Sequence, residues 1–185
     1  MADFKRNGYG QVEPNHLAGQ KTGQIYAQLP AKSTITQLEN GQFAKYDYPN
    51  GEVNFTGVGE WFMVFNEVHT YDERDRFYKD YVMAKADYVD GVITPRLMRT
   101  YIGDIFTTNT IKSAGSKRTD VTIATDIDST NAAQVAPGAI YQVNSNGFLE
   151  YTATNDIVAG QPQFQVVKFY TLADGQQAIK FQRVA

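Results

Sequence analysis

The chain holds only two histidines, His16 and His69. Nucleophilic catalysis needs a base such as histidine held by a carboxylate. Glu67 stands two residues before His69, so on a strand the two side chains share a face. Asp72 or Glu73 would complete a metal site of nitrogen and oxygen donors. The plainer reading is a partly exposed strand end. From Tyr71 to Arg76 the charges alternate, with Asp72, Glu73 and Asp75 set against Arg74 and Arg76. Paired carboxylates there would serve acid–base work, but alternating signs more simply describe a solvated, mutually paired surface. Asp126 and Asp128 could ligate calcium, yet no loop of the required spacing and glycine follows them. The run Gly57-Val58-Gly59-Glu60-Trp61 lacks the lysine and the strand-to-helix setting of a phosphate loop. Lys112, Lys117 and Arg118 form a short basic loop without interleaved aromatics, which suits an acidic protein surface better than nucleic acid. No catalytic, cofactor or metal set is therefore expected.

Composition narrows the class further. The 185 residues suit one β domain, or two small ones sharing an interface. The absence of cysteine removes disulfides and thiolate metal sites. A formal net charge of −3 argues against nucleic acid as the main partner. No apolar run approaches the ~20 residues that span a bilayer, and the first ten residues carry no apolar signal core. The 12 tyrosines and 11 phenylalanines suit strands and surfaces that touch other proteins.

The elements are organised around Gly41 to Tyr71. Two aromatic runs flank Pro49-Asn50-Gly51, and a tight turn with positive φ at Gly51 is predicted there. Trp61, Met63 and Phe65 alternate with Phe62, Val64 and Val68, so this strand is expected to be covered on both faces, with Trp61 buried and central. Short strands are expected at 25–29, 34–38 and 121–127, and one across 96–109 bent at Gly103. Two more hairpins are expected, one turning at Gly147 with positive φ and one around Ala173-Asp174-Gly175. Over 72–90 the spacing of Phe77, Tyr81, Ala84 and Tyr88 predicts a helical face, while an extended reading sets Phe77, Tyr81 and Met83 on one side. Tyr88 to Val92 reads as a turn. The expected fold is mainly β, an antiparallel sandwich or barrel with at most one short helix.

Residues 1–24 are punctuated by Gly8, Gly10, Pro14, Gly19 and Gly23, too often for regular structure. They are expected to form an extended arm, with Phe4, Tyr9 and Leu17 as partner-binding anchors. Residues 25–185 then form the β domain. Two hairpins within it echo one another. One is GQFAKYDYPNGEVNF from Gly41, the other GAIYQVNSNGFLEY from Gly138. A true repeat would divide the domain into 25–110 and 120–185.

The two glycine-led hairpins and the flexible N-terminus resemble the capsid decoration (cement, head-auxiliary) proteins of tailed bacteriophages. The resemblance implies a non-enzymatic virion protein, made in the host cytoplasm, that binds the outer surface of an icosahedral capsid. Its partner would be the major capsid protein, with self-association on the shell. Neighbouring capsid subunits would be clamped together, with the arm adding contact area. The alternative is a tail or fibre module that recognises a surface carbohydrate through exposed Tyr and Trp.

Overall fold

The computed structural model describes residues 9–14, 24–25, 29–66, 82–112, 132–172 and 175–185. The protein is mainly β, built from antiparallel sheets with one short α-helix among the described residues. A four-stranded sheet carries β3 (Phe43–Asp47), β4 (Glu52–Asn54), β5 (Phe62–Val64) and β7 (Leu97–Met98), in the order β4-β3-β5-β7. A six-stranded sheet carries β1 (Val12–Glu13), β8 (Ile105–Thr108), β9 (Ile140–Val143), β10 (Leu149–Tyr151), β11 (Phe164–Thr171) and β12 (Gln177–Arg183). Its order is β1-β8-β12-β11-β9-β10. A two-stranded ribbon pairs β2 (Gln37–Glu39) with β6 (Val82–Ala84).

The four-stranded sheet is apolar on both faces because its side chains alternate between two cores. Phe43, Trp61, Met63 and Met98 join Phe106, Tyr141, Phe164 and Phe181 of the six-stranded sheet. Ala44, Tyr46, Phe62, Val64 and Leu97 join Leu38 and Met83 of the ribbon. The period of two along β5 thus feeds both cores, and this double cover is why Trp61 to Val64 reads apolar without interruption. Trp61 is 5% exposed, with the Lys45 ammonium 4.6 Å above its ring. In the first core Phe43, Phe106, Phe164, Phe181 and Tyr141 form a continuous ring cluster, with centroids 5.0 to 6.4 Å apart. Such pairs contribute about 0.5–1.5 kcal/mol each beyond the area they bury.

Several expected elements take a different form. Residues 9–14 are not an arm free of the body: β1 pairs antiparallel with β8, Val12 opposite Thr108. Glycine permits this, since a Cβ on Gly10 would lie 2.0 Å from the Asn40 carbonyl oxygen. Of the helical and extended readings of 72–90, the described part opens with the extended one. Val82–Ala84 is a strand, because burying Met83 opposite Leu38 in the ribbon outweighs the helical spacing. Residues 96–109 form two strands in different sheets. The chain changes sheet at a turn where Asp104 N–H donates to the Tyr101 carbonyl and Gly103 takes φ 93°. Helix α1 spans Ala132–Val135. The strand expected at 121–127 lies outside the described residues.

The two echoing hairpins fall in different sheets. The first is closed by the pair Asp47–Glu52, so its loop has four residues rather than a two-residue turn. The Asp47 carboxylate organises it, accepting from the Asn50 backbone N–H (3.3 Å) and side-chain amide (2.9 Å). Gly51 takes φ 63°. The second hairpin is closed by Val143–Leu149, and Gly147 takes φ 82°.

Candidate functional site

A groove of about 830 Å³ runs along the β2–β6 ribbon. Thr36 and Val82 line its floor; Tyr9, Lys85, Tyr88 and Val89 line its rim. Each wall is held from the backbone. Lys85 N–H donates to the Thr36 carbonyl (2.8 Å), which seats the 3₁₀ turn Lys85–Asp87 against the ribbon. The Lys85 ammonium reaches the Ser33 carbonyl. The turn expected over Tyr88–Val92 closes by Gly91 N–H to the Tyr88 carbonyl (3.0 Å) and Val92 N–H to the Asp90 carboxylate (3.1 Å). That turn presents Tyr88, Val89 and Val92 to solvent, with Val89 fully exposed. Tyr88 and Val89 thus set two exposed apolar side chains on one rim, with Val92 exposed just after them.

Tyr9 reaches this rim because the residues after it are fixed. Gly10 N–H donates to the buried Glu39 carboxylate (2.7 Å) and Gln11 N–H to the Asn109 side chain (2.7 Å). The Thr108 hydroxyl donates to the Gln11 carbonyl (2.7 Å). These polar groups lie in a buried seam, where each is costly to leave unmade.

A second cluster joins the two large sheets at one end. The Glu60 carboxylate, just before β5, accepts from Arg99 Nε (2.7 Å) and Arg183 Nη1 (3.0 Å). Arg183 also donates to the Thr100 carbonyl, and the Arg99 guanidinium lies 5.9 and 5.6 Å from the Phe62 and Tyr101 ring centroids. Burial alone pushes the Glu60 pKa up. The hydrogen bonds from Arg99 and Arg183 outweigh that and hold it below the ordinary glutamate value of 4.5. A depressed folded pKa stabilises the native state above the unfolded value, and this contribution disappears as pH falls through the folded one. Glu60→Gln is therefore expected to cost about 1–2 kcal/mol at neutral pH, a modest figure because the cluster is partly solvated. The deficit should vanish well below pH 4.5. Urea midpoints of both proteins across that range measure it, and a deficit that persists in acid would show that charge is not its source.

A third surface is a polar groove of about 380 Å³ beside β9 and β10, lined by Gln142, Asn144, Tyr151 and Asp156 among others. Gln142 is locked by reciprocal bonds to the Val158 backbone (2.9 and 2.8 Å).

Of the candidate residues, Tyr9 lies at the first groove, Trp61 in the core between the large sheets, and Gly51 and Gly147 in the two hairpin loops. Lys112 is held by Glu150 (2.6 Å). Phe4, His16, Leu17, Glu67, His69, Asp72, Glu73, Asp75, Lys117, Arg118, Asp126 and Asp128 lie outside the described residues. Among the described residues no group of three or more His, Cys, Asp or Glu side chains could hold a metal ion. No helix among them is long and apolar enough to cross a membrane. The Glu60 cluster was missed because its members stand 39 and 123 residues apart, and no local pattern links them. Comparison with known families, curated proteins and solved structures finds no match.

Proposed function

We propose that the protein is a non-enzymatic virion component that binds the outer surface of an icosahedral phage capsid and clamps neighbouring capsid subunits. The observation that carries this reading is the position of Tyr9. Strand β1 pins the chain, and Tyr9 then stands at the lip of the groove beside Tyr88 and Val89. An expected arm anchor and the exposed Tyr88–Val92 turn thus form one surface. The resemblance of the two glycine-led hairpins supplies the partner class, the major capsid protein. Buried aromatic and aliphatic contacts would carry most of the binding energy, as at other protein interfaces.

Val89→Asp is the direct test. Val89 is fully exposed, so the free protein should keep its stability within about 0.5 kcal/mol. Placing a charge in an apolar contact should weaken binding about tenfold or more, as loss of a central contact does. Tyr9→Ala should weaken it in the same direction. Co-sedimentation with undecorated shells of the encoding phage measures both, alongside melting of the free proteins. Unchanged sedimentation of both variants would remove the groove from the contact.

A second reading, a tail or fibre module for a surface carbohydrate, is favoured by the polar groove beside β9 and β10. Its amides, the carboxylates of Glu150 and Asp156 and the half-buried ring of Tyr151 are groups that bind sugar hydroxyls and faces, whereas the single tryptophan, Trp61, is buried and not the exposed ring that reading expects. Binding on a glycan array that Tyr151→Ala abolishes, with no sedimentation on shells, would favour that reading over the capsid.

A further inference from the structure

Three of the four Asn-Gly dipeptides in the sequence lie in the described residues: Asn40-Gly41, Asn50-Gly51 and Asn146-Gly147. In an unfolded chain the glycine makes all three comparably prone to deamidation, because it leaves the next backbone nitrogen unhindered. The fold separates them. Asn40 is 2% exposed and locked to Asn66 by two reciprocal bonds, its amide to the Asn66 carbonyl (2.9 Å) and Asn66 N–H to its oxygen (2.8 Å). Gly41 N–H is held by the Val64 carbonyl (2.9 Å). Asn146 is exposed, but its backbone is clamped. Its carbonyl accepts from the Gln42 amide (2.8 Å), and the Gly147 carbonyl accepts from Phe43 N–H (2.7 Å). A Cβ on Gly147 would lie 2.1 Å from the Phe43 carbonyl oxygen, so no room exists there for the backbone to swing. Asn50 shares the exposure of Asn146, and its N–H and side-chain amide donate to the Asp47 carboxylate of the same loop (3.3 and 2.9 Å), but nothing packs over the glycine that follows it. Gly51 has no atom within 4 Å of an added Cβ, and Gly51 N–H makes only a long bond to the Tyr48 carbonyl (3.2 Å).

We propose that Asn50 is a built-in deamidation site, the one of these three that the native fold leaves reactive. The Gly51 nitrogen attacks the Asn50 side-chain carbonyl carbon. The N–C bond forms as the Gly51 proton passes through water to the side-chain nitrogen, the bond from that nitrogen to carbon breaks, and ammonia leaves. Water then opens the five-membered imide at either carbonyl, giving aspartate or isoaspartate with no change of oxidation state. The product loses the amide that donates to Asp47 Oδ2 and sets a second carboxylate beside it. The net charge of −3 gains one further negative unit, on a loop that also presents Tyr48, which is 60% exposed. The loop thus changes charge and shape with the age of the protein.

The test incubates the full chain, native and urea-unfolded, in mildly alkaline buffer at physiological temperature. Peptide mapping by mass spectrometry and enzymatic isoaspartate labelling follow each site. In urea the three sites should convert at similar rates. In the native protein Asn50 should keep its unfolded rate within a few-fold. Asn40 and Asn146 should fall at least about tenfold behind it, the factor that each 1.4 kcal/mol of local opening imposes. Asn50→Ser should abolish native isoaspartate at this loop. Equal native rates at Asn50 and Asn146, or protection of Asn50 equal to that of Asn40, would overturn the proposal.

Discussion

Gly147→Ala is expected to cost about 3–4 kcal/mol, while Gly51→Ala costs about 1–2 kcal/mol, although both glycines follow asparagine in hairpin loops. Both have positive φ, 82° and 63°, and a side chain at such a position costs about 1–2 kcal/mol by itself. At Gly51 that is the whole penalty, because an added Cβ would meet nothing within 4 Å. At Gly147 it would lie 2.1 Å from the Phe43 carbonyl oxygen and 3.0 Å from the Phe55 ring. Neither neighbour is the free end of a flexible side chain. The loop must lift off β3, which removes the bond from Phe43 N–H to the Gly147 carbonyl and the bond from the Gln42 amide to the Asn146 carbonyl. Each such bond is worth about 1 kcal/mol net. The second hairpin is therefore a joint between the two large sheets, and the first is a free loop. Urea unfolding of the two alanine variants checks this, and equal losses would sink it.

What could be read from the chain beforehand follows from how local each determinant is. Trp61 to Val64 announced a strand covered on both sides, because alternation alone assigns its side chains to two cores. The last hairpin, β11 with β12, was legible for the same reason: two long alternating runs around a glycine. The strand Val82–Ala84 was legible only as one of two readings. Phe77, Tyr81, Ala84 and Tyr88 stand at helical spacing, and only pairing with Gln37–Glu39, more than forty residues earlier, shows that the chain is extended there. Nor could the different fates of Gly51 and Gly147 be foreseen, since both dipeptides read alike and only Phe43 distinguishes them. At the groove, the turn Tyr88–Val92 was legible from Asp90-Gly91, whereas the place of Tyr9 at its rim was not. Their adjacency depends on β1 and on the two residues before it, Gly10 and Gln11, which are held by Glu39, Asn109 and Thr108, too far away in the chain to leave a local signature.

That strand makes the second large effect. A chain beginning at Gly23 is expected to lose about 4.5–6 kcal/mol of stability. The opposite follows if residues 1–24 are a simple arm, for then truncation costs nothing. Removing β1 exposes the site of Val12, which is 6% exposed, a loss of about 1 kcal/mol at this size. It also removes two backbone bonds, from Gln11 N–H to Asn109 and from Thr108 to the Gln11 carbonyl, about 1 kcal/mol each. The largest part comes from Glu39, a carboxylate only 2% exposed that loses the Gly10 N–H donor at 2.7 Å. A hydrogen bond to a charged group contributes about 1.5–3 kcal/mol. Gly10→Ala isolates the seating of β1 from the loss of the preceding residues. Its Cβ would collide with the Asn40 carbonyl oxygen at 2.0 Å and the Thr110 hydroxyl at 2.3 Å, so β1 must shift although the chain keeps its full length. Both variants should therefore melt well below the parent, with Tyr9→Ala, whose backbone seat is intact, near it. Calorimetry of the three free proteins decides: a truncated chain that melts with the parent would mean that β1 adds nothing to the fold and that residues 9–14 are arm after all.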